Sequence, residues 1–418
     1  MTKSTPNNGR KSQPIRTGLA LAGGGPLGAI YEIGTLLALE EALQGIQFND
    51  VDVYVGVSSG GFIASGLANG IDIATIYHSF IESETTEHSL TPDLFMRFAF
   101  GEFVSRALGI PQLLLEGLKR RLTQPLGGGT MVWLAGLSSS LPVGIFDSDA
   151  IGAQLSRLFA AHGGTNDFRK LAHRLYLVAT DLDTAESVRF GAPGFDHVPI
   201  SRAVQASAAL PGLFPPVRID GRYYVDGALI KTLHASVALE QGAKLVICIN
   251  PLVPFDAGLA ARNGRPHHQS LVKAGLPVVM SQTFRSLIHS RMAIGMSKYE
   301  TQYPDADVLL FQPDRDDAEM FFTNVFSYSS RHRLCEHAYQ STRAFLLKRR
   351  ATLQPILARH GIELRLDVLK DPHRHAAGRL RGLSAGKARK AAGTSVRATT
   401  NALDTVLGRL ENWLETAR

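Results

Sequence analysis

Two short apolar segments near the start of the chain each run into a cluster of glycines and then into a helical pattern, and this repeated unit restricts the fold more than any other feature. The spacing predicts a strand over residues 18–22, a glycine turn and a helix over 29–43. A second predicted strand, 51–55, enters Gly56-Val57-Ser58-Ser59-Gly60 and then a helix from about Gly61 toward Leu67. Short apolar strands alternating with helices are buried on both faces, so the pattern predicts an α/β protein with a mostly parallel central sheet.

The same alternation returns later. It predicts a helix over 148–160, strands over 175–180, 222–225, 244–249 and 308–311, and a closing helix over 333–350. Between about 82 and 144 it is lost. Helical patterns at 98–107 and 113–122 predict a helical insertion there, and the uncharged span 122–146 reads as loop plus short helix because Gly127-Gly128-Gly129 and Ser138-Ser139-Ser140 dilute its hydropathy. The expected organisation is a flexible tail over 1–17, an α/β domain over 18–350 with its motif core at 18–250, and an extension over 351–418. In that extension a linker rich in Ala, Gly, Arg and Lys precedes Leu403, Val406, Leu407, Leu410 and Leu414 at the spacing of a short amphipathic helix.

With 44% hydrophobic residues in 418, the chain can bury a large core. Cys248 and Cys335 are the two cysteines, too few for a disulfide framework, and a reducing compartment is expected. The polar, basic start broken by Gly23, Gly24, Gly25 and Pro26 does not resemble a secretory leader. The net charge of +7 is weighted toward Arg374, Arg379, Arg381, Lys387, Arg389, Lys390 and Arg397, so an anionic partner is implied; lipid headgroups and nucleic acid satisfy that field equally.

Gly56-x-Ser58-x-Gly60 between strand and helix has the form of a nucleophile elbow, a turn so tight that flanking side chains would collide. A hydroxyl attacking a carbonyl needs amide donors for the developing oxyanion, and Gly23-Gly24-Gly25-Pro26-Leu27-Gly28 offers them. The glycine pattern also matches a dinucleotide fingerprint, which demands an acid at the C-terminal end of the second strand; Asp50 and Asp52 lie at the other end, and the elbow occupies the required place. Asp226, followed by Gly227 and closing a predicted strand, is the candidate general base, although Asp-Gly is also an ordinary turn.

The ordered set Gly23-Gly24-Gly25-x-x-Gly28, Gly56-x-Ser58-x-Gly60 and Asp226-Gly227-Ala228 resembles the patatin-like phospholipases. The run from Ala206-Ser207-Ala208 through Pro211-Gly212 to Pro215-Pro216 is similar too, as is Thr180-Asp181. The resemblance implies a three-layer fold and a serine-dependent lipid acyl hydrolase. Carried over, Ser58 is nucleophile, Asp226 base, and Gly23, Gly24, Gly25 and Gly28 the oxyanion loop, with no histidine and no metal or organic cofactor. Two departures stand out. Leu27 occupies a place where the family usually has Arg or Lys, and Lys231-Thr232-Leu233-His234 replaces a common Asn and Pro pattern, with His234 expected to start a helix.

A lipid esterase must reach packed substrate. Leu113, Leu114, Leu115 and Leu118 beside Lys119, Arg120 and Arg121, or the basic tail, are candidates for contact with a membrane surface. A cytoplasmic enzyme, peripheral at the inner membrane face and without a nucleic-acid partner, is expected. The alternative, a silent lipid-binding or scaffolding protein on the same fold, draws its support from Leu27.

Overall fold

The computed structural model describes residues 16–82, 144, 146, 148–264, 271–273, 275–323 and 328–378. Its first strand, β1 (Thr17–Leu21), leads through the glycine loop into helix α1 (Gly25–Ala42). After the short β2 (Leu43–Gln44) come β3 (Val53–Val57), α2 (Ser59–Ala68) and α3 (Ile73–Tyr77). The described chain continues with α4 (Asp149–Ala161), β4 (Arg174–Asp181), β5 (Ser187–Phe190), α5 (Ile200–Ser207), β6 (Val217–Ile219) and β7 (Arg222–Asp226). Then follow α6 (Ala235–Glu240), β8 (Leu245–Ile249), α7 (Ala257–Arg262), α8 (Leu276–Gln302) and β9 (Asp307–Phe311). The last elements are α9 (Ala318–Phe322), α10 (Tyr328–Lys348), α11 (Arg350–Arg359), β10 (Glu363–Leu364) and α12 (Leu366–Lys370).

Strand β3 begins two residues later than the sequence suggests, because Asp52 is committed elsewhere. Its carboxylate accepts hydrogen bonds from the Arg16 and Thr17 amides at 2.9 and 2.8 Å and from the Thr17 hydroxyl at 3.0 Å, tying down the start of β1. That places Asp52 at the sheet edge opposite the glycine loop.

The main sheet has the order β6-β7-β4-β3-β1-β8-β9, with β5 beside β4. The pairs β1–β3, β1–β8, β3–β4 and β8–β9 are parallel. Strands β5, β6 and β7 join antiparallel, so the sheet is mixed but mostly parallel at its centre. Alternate side chains choose opposite faces. Ala20, Val53, Val55, Val57, Val178, Val246 and Cys248 pack with α6 and with Met292 and Tyr299 of α8. On the other face α2 approaches Leu177, and α1 lies between α2 and α10. These are the three layers.

Helix α1 is buried along most of its length, and at Gly34 it touches α10. A methyl group on Gly34 would strike the Cys335 carbonyl oxygen and lie 2.8 Å from the Ala338 side chain. Backbone cannot yield as a side-chain tip can. Gly34→Val is therefore expected to pry the helices apart and cost roughly 2 kcal/mol or more in urea unfolding.

Met1–Asp371 forms one compact unit, to which β10 belongs by pairing with β2. Arg343 of α10 also donates to the carbonyls of Val368 and Asp371 at 2.8 and 2.6 Å, satisfying the end of α12. Pro372–Arg418 is a second unit. The expected helical insertion, the basic linker beyond residue 378 and the terminal amphipathic helix lie outside the described residues. Among the described residues no helix is long and apolar enough to cross a membrane.

Candidate active site

Parallel pairing of β1 with β3 brings the glycine loop and the Ser58 turn to one edge of the sheet. Ser58 sits there at φ 51°, ψ −123°, a conformation that costs a non-glycine residue about 1–3 kcal/mol. The turn tolerates no side chains around it. A methyl on Gly60 would lie 2.6 Å from the Ala22 carbonyl oxygen, and one on Gly56 2.6 Å from the Gly61 Cα.

A serine 149 residues away holds this strained turn in place. The Ser58 amide donates to Ser207 Oγ at 2.9 Å, and the Ser207 hydroxyl donates to the Val178 carbonyl at 2.6 Å. Two residues further on, the Ala209 carbonyl accepts the Asp226 amide at 3.0 Å. The end of α5 and the two residues after it thus brace both Ser58 and Asp226. Its wording drew attention in the sequence, but the brace itself is a tertiary contact. Ser207→Ala leaves a buried amide and a buried carbonyl unpartnered, and is expected to lower unfolding stability by about 1–3 kcal/mol.

Asp226 ends β7, which reaches the Ser58 strand across β4: Ala179 pairs with Asp226 while Val178 pairs with Val57. Gly227 permits that approach, since a methyl there would strike the Val178 carbonyl and lie 3.2 Å from Val57 Cγ1. The Asp226 carboxylate is buried, accepts the Ala228 amide at 2.8 Å and lies close enough to the Ser58 hydroxyl for that group to favour its ionised form. Burial raises its pKa to about 6, against the opposing pull of those two donors.

No histidine hydrogen-bonds to Ser58 or Asp226 among the described residues. His234 precedes α6 without capping it through its side chain, and burial, helped by the nearby charges of Lys231 and Arg189, lowers its pKa to about 3, leaving it neutral. A second buried carboxyl, Glu32 of α1, is pushed well above its usual range by burial. Asp181 has a framing role: it accepts the Asp183 amide at 2.9 Å and Arg222 Nη1 of β7 at 2.8 Å.

The four loop glycines have different geometries. Gly23 is closest to the elbow, where a methyl would lie 3.0 Å from Ser58 Cβ. Gly24 and Gly28 pack on Pro251, a support that the sequence did not suggest. Gly25, at φ 61°, opens α1, and first-turn amides of a helix have no intrahelical acceptor. The Gly28 amide is spent on the Gly24 carbonyl at 3.0 Å, so Gly28 provides room rather than a free donor. The Ser58 amide is likewise spent on Ser207.

The profile of the family described as patatin-like phospholipase matches residues 19–239, more than half of the chain. An uncharacterised NTE family protein of Mycobacterium bovis is 31% identical over 101 residues, covering 24% of this chain and 16% of that protein. A second one from the same organism is 34% identical over 90 residues, covering 22% and 23%. The chain therefore spans less than a quarter of either curated relative. Among solved structures, VipD from Legionella pneumophila aligns at 16% identity and TM-score 0.39, over 80% of this chain and 67% of that one. A human GIVD cytosolic phospholipase A2 aligns at 15% identity and TM-score 0.30, over 81% and 59%. On the extent of the profile match, this chain belongs to the patatin-like phospholipase family.

Proposed function

We propose that the chain is a serine-dependent lipid acyl hydrolase working through an acyl-enzyme. The observation that carries this reading is the Ser58 hydroxyl, on a strained turn, brought beside the buried Asp226 carboxylate. Ser58 Oγ attacks the ester carbonyl carbon as its proton passes to Asp226. Negative charge then develops on the carbonyl oxygen beside the amides of the Gly23-Gly24-Gly25 loop. The C–O bond to the leaving alcohol breaks, and the alcohol departs with the proton held on Asp226. Water next attacks the acyl-serine, gives a proton to Asp226, and the fatty acid leaves as Ser58 regains it.

A base with pKa about 6 is ionised at neutral pH yet basic enough to take a proton in the transition state. The family membership and the geometry support an acyl-lipid substrate, and we assign the catalytic part to 18–350 with 351–418 as an extension. The setting is cytoplasmic, peripheral at the inner membrane face, with the insertion and basic tail as contacts. Release of fatty acid from phospholipid vesicles and from short-chain esters tests the reading. Turnover of both is expected; no ester cleavage above background by folded protein would overturn it.

A further inference from the structure

Helix α8 has two apolar sides, whereas a surface helix ordinarily has one. One side faces the core: Met292 and Tyr299 are buried, Gln282 exchanges hydrogen bonds with the Phe255 backbone at 3.0 and 2.7 Å, and Arg285 Nη1 donates to the Val253 carbonyl at 3.2 Å. The opposite side holds Leu276, Met280, Phe284, Leu287 and Ile294, which at about 100° per residue fall within roughly 80° of one another. These side chains are open to solvent, with Leu276 at 73%, Leu287 at 56% and Ile294 at 58% exposure.

The charges that α8 carries on this side are positive, its one acid, Glu300, falling on the far side of the helix. From Ala257 to Tyr299 the sequence contains no Asp or Glu. Arg291 and Lys298 project from the same arc as the stripe, and Lys273 is exposed just before the helix. Arg291 Nη1 also donates to the Leu229 carbonyl at 3.0 Å, three residues beyond Asp226, so the stripe runs beside the loop that follows the candidate base.

We propose that this outer face of α8 docks on an anionic lipid bilayer, with Leu276, Phe284, Leu287 and Ile294 entering the acyl boundary and Arg291 and Lys298 at headgroup level. Charge complementarity selects this occupant. A second copy of the chain would bring the same uncompensated cations against each other across a two-fold axis. The inference does not depend on catalysis, since it concerns binding alone, and it places membrane contact on a described element separate from the insertion and the tail.

Sedimentation of the full chain with phosphatidylcholine vesicles, with and without about one-third phosphatidylglycerol, tests it. The native protein is expected to bind the anionic vesicles at least about 10-fold more tightly than the neutral ones. Leu287→Glu with Ile294→Glu should weaken that binding by about 10-fold or more at an unchanged thermal midpoint, Lys298→Glu should weaken it for anionic vesicles only, and Ser58→Ala should bind as the native protein does. Three results would overturn the proposal: vesicle binding unaffected by the α8 variants, conversion of a dimer to a monomer by the double variant in light scattering, or a large fall in its thermal midpoint, which would mean the face is covered within the chain. Ester turnover without such binding leaves the catalytic reading intact, and binding without turnover leaves this one.

Discussion

Ser58→Ala is expected to lower ester turnover by roughly 10³-fold or more while the protein stays folded, because it deletes the nucleophile and little else. The side chain is buried at the turn, but the contact that secures the turn is made by the backbone amide to Ser207, and alanine keeps that amide. Circular dichroism and the urea midpoint should therefore stay close to those of the native protein. A variant with near-native turnover would remove Ser58 from the chemistry, whereas an unfolded variant would mean that the hydroxyl supports the turn.

Asp226→Asn is expected to lose about 10²–10⁴-fold in turnover and, at neutral pH, to gain stability. Both follow from the same burial. The native kcat/KM should rise through an acid limb near pH 6, as the carboxylate becomes ionised. For stability the sign is opposite. The folded pKa lies above the unfolded value of 3.8, so the Asp226 contribution is full below the unfolded pKa and is lost as pH rises through about 6. A shift of this size corresponds to about 3 kcal/mol. Asparagine has no such dependence and still accepts from the Ala228 amide, so the stability gap between variant and native should open between about pH 4 and 6 and persist above. Urea unfolding at pH 4 and pH 7.5 measures it; equal gaps at the two pH values would mean the carboxylate is not held in a desolvated site.

What the sequence disclosed follows from how local each signal is. The strand, glycine loop and helix at 17–42, the elbow at 53–68 and the Asp226 strand are short-range patterns in which the glycines mark close approach, so these elements could be placed before any contact was known. Helix α8 was invisible because it carries apolar residues on opposite sides, which erases the 3.6-residue period that reveals a helix. Strands β5 and β6 were missed because each is only a few residues long and partly exposed. The Ser207 brace, the Pro251 support and the spending of the Gly28 amide arise from residues far apart in sequence or from helix geometry, neither of which composition encodes.

The central claim is that Ser58 is a nucleophile activated by Asp226, and the most direct measurement is covalent labelling by an alkyl fluorophosphonate, with the adduct located by peptide mass spectrometry. The expected result is a single adduct on Ser58, formed at a rate that climbs through about pH 6 and falls by orders of magnitude in Asp226→Asn. Labelling at a different serine, or equally fast labelling of the Ser58→Ala protein, would contradict it.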